Sequence, residues 1–254
     1  MPALFVGHGS PMNIVADNDF TRALRALGPK LPRPKAILVI SAHWLTRGSF
    51  VTTSTKPATI HDFFGYPDEL YKVSYPASGS PAFAKVVCDA MMKFDPMVDQ
   101  DRGLDHGAYS VLMHLFPNAD IPVLQLSIDR ARSLEEVYRI GKLLQPLRAK
   151  GILVIGSGNI THNLGLMAKE EDAVVPEWAE EFDIRVKNFL ERQDDKALIN
   201  YSNWGKVSEL AHPSNDHFLP LLYAIAMRGE SDSLNFFHEG FSYGTLSMRS
   251  FQIG

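Results

Sequence analysis

"AILVISAHW", residues 36–44, is an apolar run of strand-forming residues that ends on small polar positions and delivers a histidine. The same grammar stands at "ALFVGHGSP" (3–11) and, with a longer glycine-rich turn, at "GILVIGSGNITHN" (151–163). Runs of Val, Ile and Leu without polar alternation suit strands buried on both faces, the condition of a parallel sheet covered by helices on each side. Further strand-like runs occur at 49–54, 122–127 and 244–252.

Helical patterns fill the intervals. "DFTRALRALG" (19–28) stops at a glycine, and "SPAFAKVVCDAMMKF" (80–94) opens with a serine cap and a proline in the first turn. "SLEEVYRIGKLLQPLRAKG" (133–151) has the capping-box spacing from Ser133 to Glu136. "PEWAEEFDIRVKNFLERQ" (176–193) is amphipathic, acidic early and basic late, as the helix dipole favours. Strands alternating with helices predict an α/β fold: one α/β/α layered domain over residues 1–254, around a largely parallel, mixed sheet. The alternating tail "GTLSMRSFQIG" is expected as an antiparallel or edge strand, and 55–80 as a long loop walling a site.

Composition narrows the class. Of 254 residues, 45% are hydrophobic and 21% charged, which is ordinary for a globular chain with one substantial core. Net charge is −4 with scattered Lys and Arg, so a nucleic-acid partner is not expected. No apolar stretch approaches the roughly 20 residues of a membrane span, and the N-terminus lacks the basic and apolar regions of a secretory signal. Cys88 is the single cysteine, so no internal disulfide can form. A buried packing role for it, and a cytoplasmic setting, are expected.

In open α/β sheets ligands bind beyond the carboxyl ends of the strands. His8 and His43 sit just past two such strands, and His162 follows a third after a glycine-rich turn. Converging imidazoles serve metal binding, acid–base chemistry, or both. "GLDHG" adds His106, and "HPSNDHFLPLLYAIAMRG" places His212 and His217 before an apolar helix. At its first turn the dipole favours the neutral, metal-binding ring. His61, His114 and His238 carry no such signal. No HExxH, CxxC or EF-hand spacing exists, so any site is assembled from distant segments.

Six stretches then gain meaning from their order: "GHGSP", "SAHW", "DHG", "GSGNITHNL", "HP–DHFLPLLYA" and "LSMRSFQIG". Together they resemble the DOPA 4,5-dioxygenase-like group of class III extradiol ring-cleavage dioxygenases, related to the catalytic subunit of protocatechuate 4,5-dioxygenase. The resemblance implies a mononuclear non-haem Fe(II) that opens a catechol ring beside its hydroxyls with O2, and Zn2+ as a metal carried through purification. It implies His8, His43 and His217 as metal ligands. His162 becomes the acid–base residue, near or on the metal when zinc is bound, and His106 lines the pocket for oxygen and substrate. The wider superfamily uses two His and one Glu, so Asp216 and Glu239 stand as carboxylate alternatives for the third ligand. The implied partners are a small catechol and O2, without nucleic acid or membrane; the oligomeric state is not legible.

Other readings compete. "FVGHGS" also resembles the opening of small tetrapyrrole chelatases, three histidines could hold Zn2+ in a hydrolase, and a zinc-stabilised binding module would be closed to substrate. Trp44 and "HDFFGYPDELY" could wall an aromatic ring, and Ser247 and Arg249 could reach a substrate carboxylate.

Overall fold

The computed structural model describes residues 1–254. Its main sheet contains β1 (Ala3–Gly7), β2 (Ala36–Ser41), β3 (Val123–Gln125), β4 (Ile152–Gly158), β5 (Leu234–His238) and β6 (Ser250–Ile253). The strand order is β3-β2-β4-β1-β6-β5. Pairs β3–β2, β2–β4 and β4–β1 are parallel, whereas β1–β6 and β6–β5 are antiparallel. The strands β1, β2 and β4, which the unbroken apolar runs announced, are buried at every position.

Period-two alternation divides those strands between two cores. Leu4, Val6, Ile37, Val39, Leu153 and Ile155 face α1 (Asp19–Leu27) and α3 (His106–Leu115). Ala3, Phe5, Leu38, Ile40, Ile152 and Val154 face the other side. There they meet α2 (Pro81–Ala90), α4 (Leu134–Leu144), α5 (Glu177–Arg192) and α6 (Leu219–Ala226). Helices therefore cover both faces of a mixed, largely parallel sheet, the α/β/α layering expected. The Ser133–Glu136 capping box is formed, with both reciprocal bonds present. No helix is long and apolar enough to cross a membrane.

Four expectations are corrected. The run 49–54 yields only Phe50–Thr52, which pairs in parallel with Met97–Asp99 outside the main sheet. Ser127 holds it there, its Oγ accepting from the Phe50 N–H at 2.8 Å and its own N–H donating to the Phe50 carbonyl at 2.9 Å. The tail does add an antiparallel strand, as expected, but it is split into Leu246–Ser247 and β6, and β6 is no edge because β5 pairs along its outer side. The third concerns Cys88, which is half-buried against the core rather than sealed in it. Finally, Trp44 is buried under Arg102, whose guanidinium carbon lies 5.4 Å from the ring centroid, and it does not wall the site.

Two glycines of β4 allow α6 to lie directly on the sheet. A methyl group on Gly156 would overlap the Pro220 carbonyl, and one on Gly158 would overlap the carbonyl of His217. The Asn159 N–H donates to that same His217 oxygen at 2.9 Å. Gly158→Ala should therefore destabilise the protein by about 1–3 kcal/mol, the usual range for overpacking. It should also move the His217 segment. A thermal melt with unchanged midpoint would show that the contact is slack.

Candidate metal centre

The histidine-bearing segments meet at one rim of the sheet. His8 follows β1, its N–H donating to the Gly158 carbonyl at 3.0 Å. His43 stands two residues past β2, where the Ala42 N–H donates to Ser157 at 3.0 Å. His162 lies beyond β4, with its N–H on the Ala211 carbonyl at 2.9 Å. His217 arrives from the turn before α6, held by the glycine contact just described.

Three of these rings converge. Centroids of His8 and His43 are 5.0 Å apart, those of His8 and His217 5.3 Å, and those of His43 and His217 5.0 Å. One ring nitrogen from each falls within 4.8 Å of the other two, a span that bonds of about 2.1 Å to one shared ion can close.

Hydrogen bonds assign the protons. The Ser157 hydroxyl donates to the Gly107 carbonyl at 2.6 Å, so toward His8 it accepts, 3.0 Å from Nδ1. His8 therefore carries its proton on Nδ1 and presents a bare Nε2. His217 Nδ1 donates to the Asp216 carboxylate at 3.1 Å, and its Nε2 is buried without any partner. His43 points Nδ1 toward Asp62 Oδ2 at 3.5 Å, and its Nε2 lies 3.0 Å from Nε2 of His8, within hydrogen-bond reach of it. A cation bound between them would replace that N–H···N bond, with the His43 proton moving to Nδ1 on the Asp62 side. Carboxylate or hydroxyl partners on the far nitrogen are the usual means of orienting metal-binding imidazoles. The orphaned Nε2 of His217 and the convergence of all three rings on one point thus fit a bound cation.

Electrostatics agree. Burial, reinforced by His43, holds the His8 ring well below the ordinary imidazole pKa. Burial and then His162 do the same at His217. Burial and the neighbouring His106 bring His43 down to about 4. Neutral imidazole is the metal-binding form.

Two further histidines flank the group. His162 stands outside it, its ring stacked on His217 with centroids 3.4 Å apart and planes 4° from parallel. Burial lowers its pKa to about 4, so it is neutral at pH 7. His106 opens α3, and its backbone N–H and Nδ1 both lie on Asp62 Oδ1, at 2.9 and 3.0 Å. Burial raises the pKa of Asp62, but the bonds from His106 outweigh it and hold the carboxyl down to about 2. His43, Asp62 and His106 form a second set of close ligand atoms.

A cavity of about 300 Å³ opens over these rings. His8, His43, His106, His162 and His217 form part of its lining, with Ser10, Asp62, Phe63, Phe64, Tyr66, Leu164, Met167 and Leu246. The loop 55–80 thus supplies a wall, as expected, through residues 62–66. Asp105, beside His106 in sequence, instead caps α3 and bonds Ser41, Arg102 and Gln125. His212 turns away, Nε2 donating to the Ile160 carbonyl at 2.6 Å.

The carboxylate alternatives for a third ligand do not reach the centre. Asp216 is bonded to the far nitrogen of His217, and Glu239 pairs with Lys187 and Arg249. Ser247 and Arg249 are not cavity residues either: both bond buried Asp183. Sequence reasoning passed over Asp62 and Ser157. Asp62 had a signal, since it lies within "HDFFGYPDELY"; Ser157, inside an unbroken strand, had none.

Comparison with known proteins points the same way. Residues 3–253 match the family described as the catalytic LigB subunit of aromatic ring-opening dioxygenase. A protein of Escherichia coli K12 named 4,5-DOPA dioxygenase extradiol is 43% identical, over 100% of this chain and 95% of its own. One of the same name from Beta vulgaris is 37% identical over 98% and 95%. The crystal structure of an uncharacterized protein from Escherichia coli K12 superposes with a TM-score of 0.89 at 39% identity, covering both chains completely. With the fold, the histidine rim and these full-length matches in hand, the chain belongs to the LigB family of aromatic ring-opening dioxygenases.

Proposed function

We propose that residues 1–254 form one extradiol dioxygenase domain that opens a catechol ring, of the DOPA type, with O2 at a mononuclear non-haem Fe(II). The observation that carries this reading is the convergence of three imidazole nitrogens, within 4.8 Å, in an aromatic-walled cavity. His8, His43 and His217 would hold the metal. When bound, ferrous iron supplies Lewis acidity toward the catechol hydroxyls and binding positions for both reactants.

The remaining steps fall to the chain. Ser157 and Asp216 keep the rings of His8 and His217 in the tautomer that presents Nε2, and Asp62 stands beside Nδ1 of His43 to take its proton when metal binds. Phe63, Phe64 and Tyr66 flank the ring and displace water, so that the reactants meet in a fixed orientation. His162, neutral and cavity-lining, would accept the second hydroxyl proton of the catechol and return it to the substrate during ring opening. His106, its Nδ1 proton committed to Asp62, keeps a bare Nε2 as an acceptor at the cavity. A cytoplasmic, reducing setting is supported by the lone free thiol of Cys88.

Reconstitution tests the reading against a zinc hydrolase, which the same donor set would suit. With DOPA as substrate, Fe(II)-loaded protein should consume oxygen and form a yellow ring-opened product. Chelation should abolish both, and Fe(II) but not Zn2+ should restore them. Turnover restored equally by Zn2+, without oxygen uptake, would refute the dioxygenase reading.

A further inference from the structure

The cavity is unusual in what charges its wall. Among its lining residues Asp62 is the one formally charged group, and neither Lys nor Arg contributes. A second carboxylate, Asp216, stands directly behind His217. Arg102 and Arg249 are both committed elsewhere. Arg102 donates to Asp105 and, from behind, to the His43 carbonyl. Arg249 is taken up by Asp183 and Glu239.

The mouth is apolar. Phe64 is 89% exposed, Leu164 60% and Met167 38%, and all three line the opening. A catechol held through its two oxygens would point its ring substituent into these surroundings. There a carboxylate loses water, meets the field of Asp62 and finds no cation to replace what it lost. An uncharged chain packs against Leu164 and Met167. An ammonium group fares better still, because aromatic faces attract cations and the Asp62 carboxylate, which faces only imidazoles (His106 on Oδ1 and His43 near Oδ2), adds negative charge to the wall. The positive charge of a bound divalent metal is answered by the catechol oxygens rather than by the substituent.

We infer that this cavity selects catechols whose ring substituent is cationic, zwitterionic or uncharged, and discriminates against those carrying a carboxylate alone. The inference rests on the ring-opening reading above and deepens it to a substrate class. Asp62, Leu164 and Met167 are the residues that set the preference.

The test uses three catechols whose side chains are nearly matched in size: dopamine (cationic), hydroxytyrosol (the neutral alcohol) and homoprotocatechuate (anionic). With Fe(II)-loaded protein, kcat/KM for the cation and the alcohol should exceed that for the anion by at least about tenfold, as like-charge juxtaposition requires. The same order should appear in the Kd values from anaerobic titration of the Zn2+-loaded protein, a readout independent of turnover. Leu164→Lys and Met167→Lys, both at exposed positions, should each shrink the alcohol-to-anion ratio at least about threefold. Equal cleavage and equal binding of all three would overturn the charge selection and leave the ring-opening reading standing. If none of the three, nor DOPA, is cleaved or bound, the ring-opening reading itself falls and the selection with it.

Discussion

His217→Ala protein should emerge from purification with its metal lost and with ring-opening activity more than about 100-fold below the parent. Removing a hydrogen-bond partner of a metal ligand already costs about 10–100-fold in affinity or activity, and here the ligand itself goes. His8→Ala and His43→Ala should behave alike, since one nitrogen from each closes the same group. His162→Ala is the informative contrast. Its ring stacks on His217 but stands outside the group, so this variant should keep its metal. It should still lose the roughly 10²–10⁴-fold that a positioned acid–base residue contributes. Elemental analysis of the four proteins, set beside oxygen consumption, checks both statements. A full metal complement in His217→Ala would remove it from the ligand set, and undiminished turnover by His162→Ala would end its proton role.

The largest loss of stability should come from Arg249→Leu. Arg249 and Asp183 are 6% and 5% exposed, and the Arg249 Nε donates to both carboxylate oxygens, at 3.1 and 3.0 Å. Ser247 adds a bond of 2.6 Å from its hydroxyl, and Glu239 takes another arm of the guanidinium. This cluster ties α5 to the chain entering β6. Truncating the arginine leaves Asp183 buried with Ser247 as its remaining side-chain donor, and a broken buried pair costs about 3–5 kcal/mol. At about 2–4 °C per kcal/mol for a chain of this size, the melting temperature should fall by roughly 6–20 °C. Replacing both partners by leucine should recover a good part of that, because it removes the stranded charge as well. A drop of less than about 2 °C in the single variant would show that the pair contributes little. A substrate-binding role for Arg249 would instead raise KM without moving the melt.

That pair also shows where reading from sequence reaches its limit. "LSMRSFQIG" displays a serine and an arginine on a strand-like tail, and nothing local says that their partner is an aspartate on a helix over 60 residues earlier. The edge strand β5 was equally hidden. Its residues are only partly buried, and its register against β6 shifts near Ser250, so its alternation is weak. The run 49–54 had the opposite fault: its composition suited a sheet strand, but Ser127 and Met97–Asp99 capture it first.

The sequence by itself determined the layered α/β plan, the strands β1, β2 and β4, and the placing of His8, His43 and His162 beyond their ends. Those features follow from local chemistry, because a strand buried on both faces must be apolar throughout and its carboxyl end must face the rim. The motif resemblance named His217 as the third ligand, and tertiary structure alone decided that Asp216 and Glu239 stay out of the group, that His212 turns away, and that Ser157, Asp62 and Asp216 stand behind the rings. It also decided that the cavity wall carries a carboxylate and no cation. These are contacts between segments tens to hundreds of residues apart, made by close approach over Gly156 and Gly158 and by hydrogen bonds whose partners have no periodic signature in the chain.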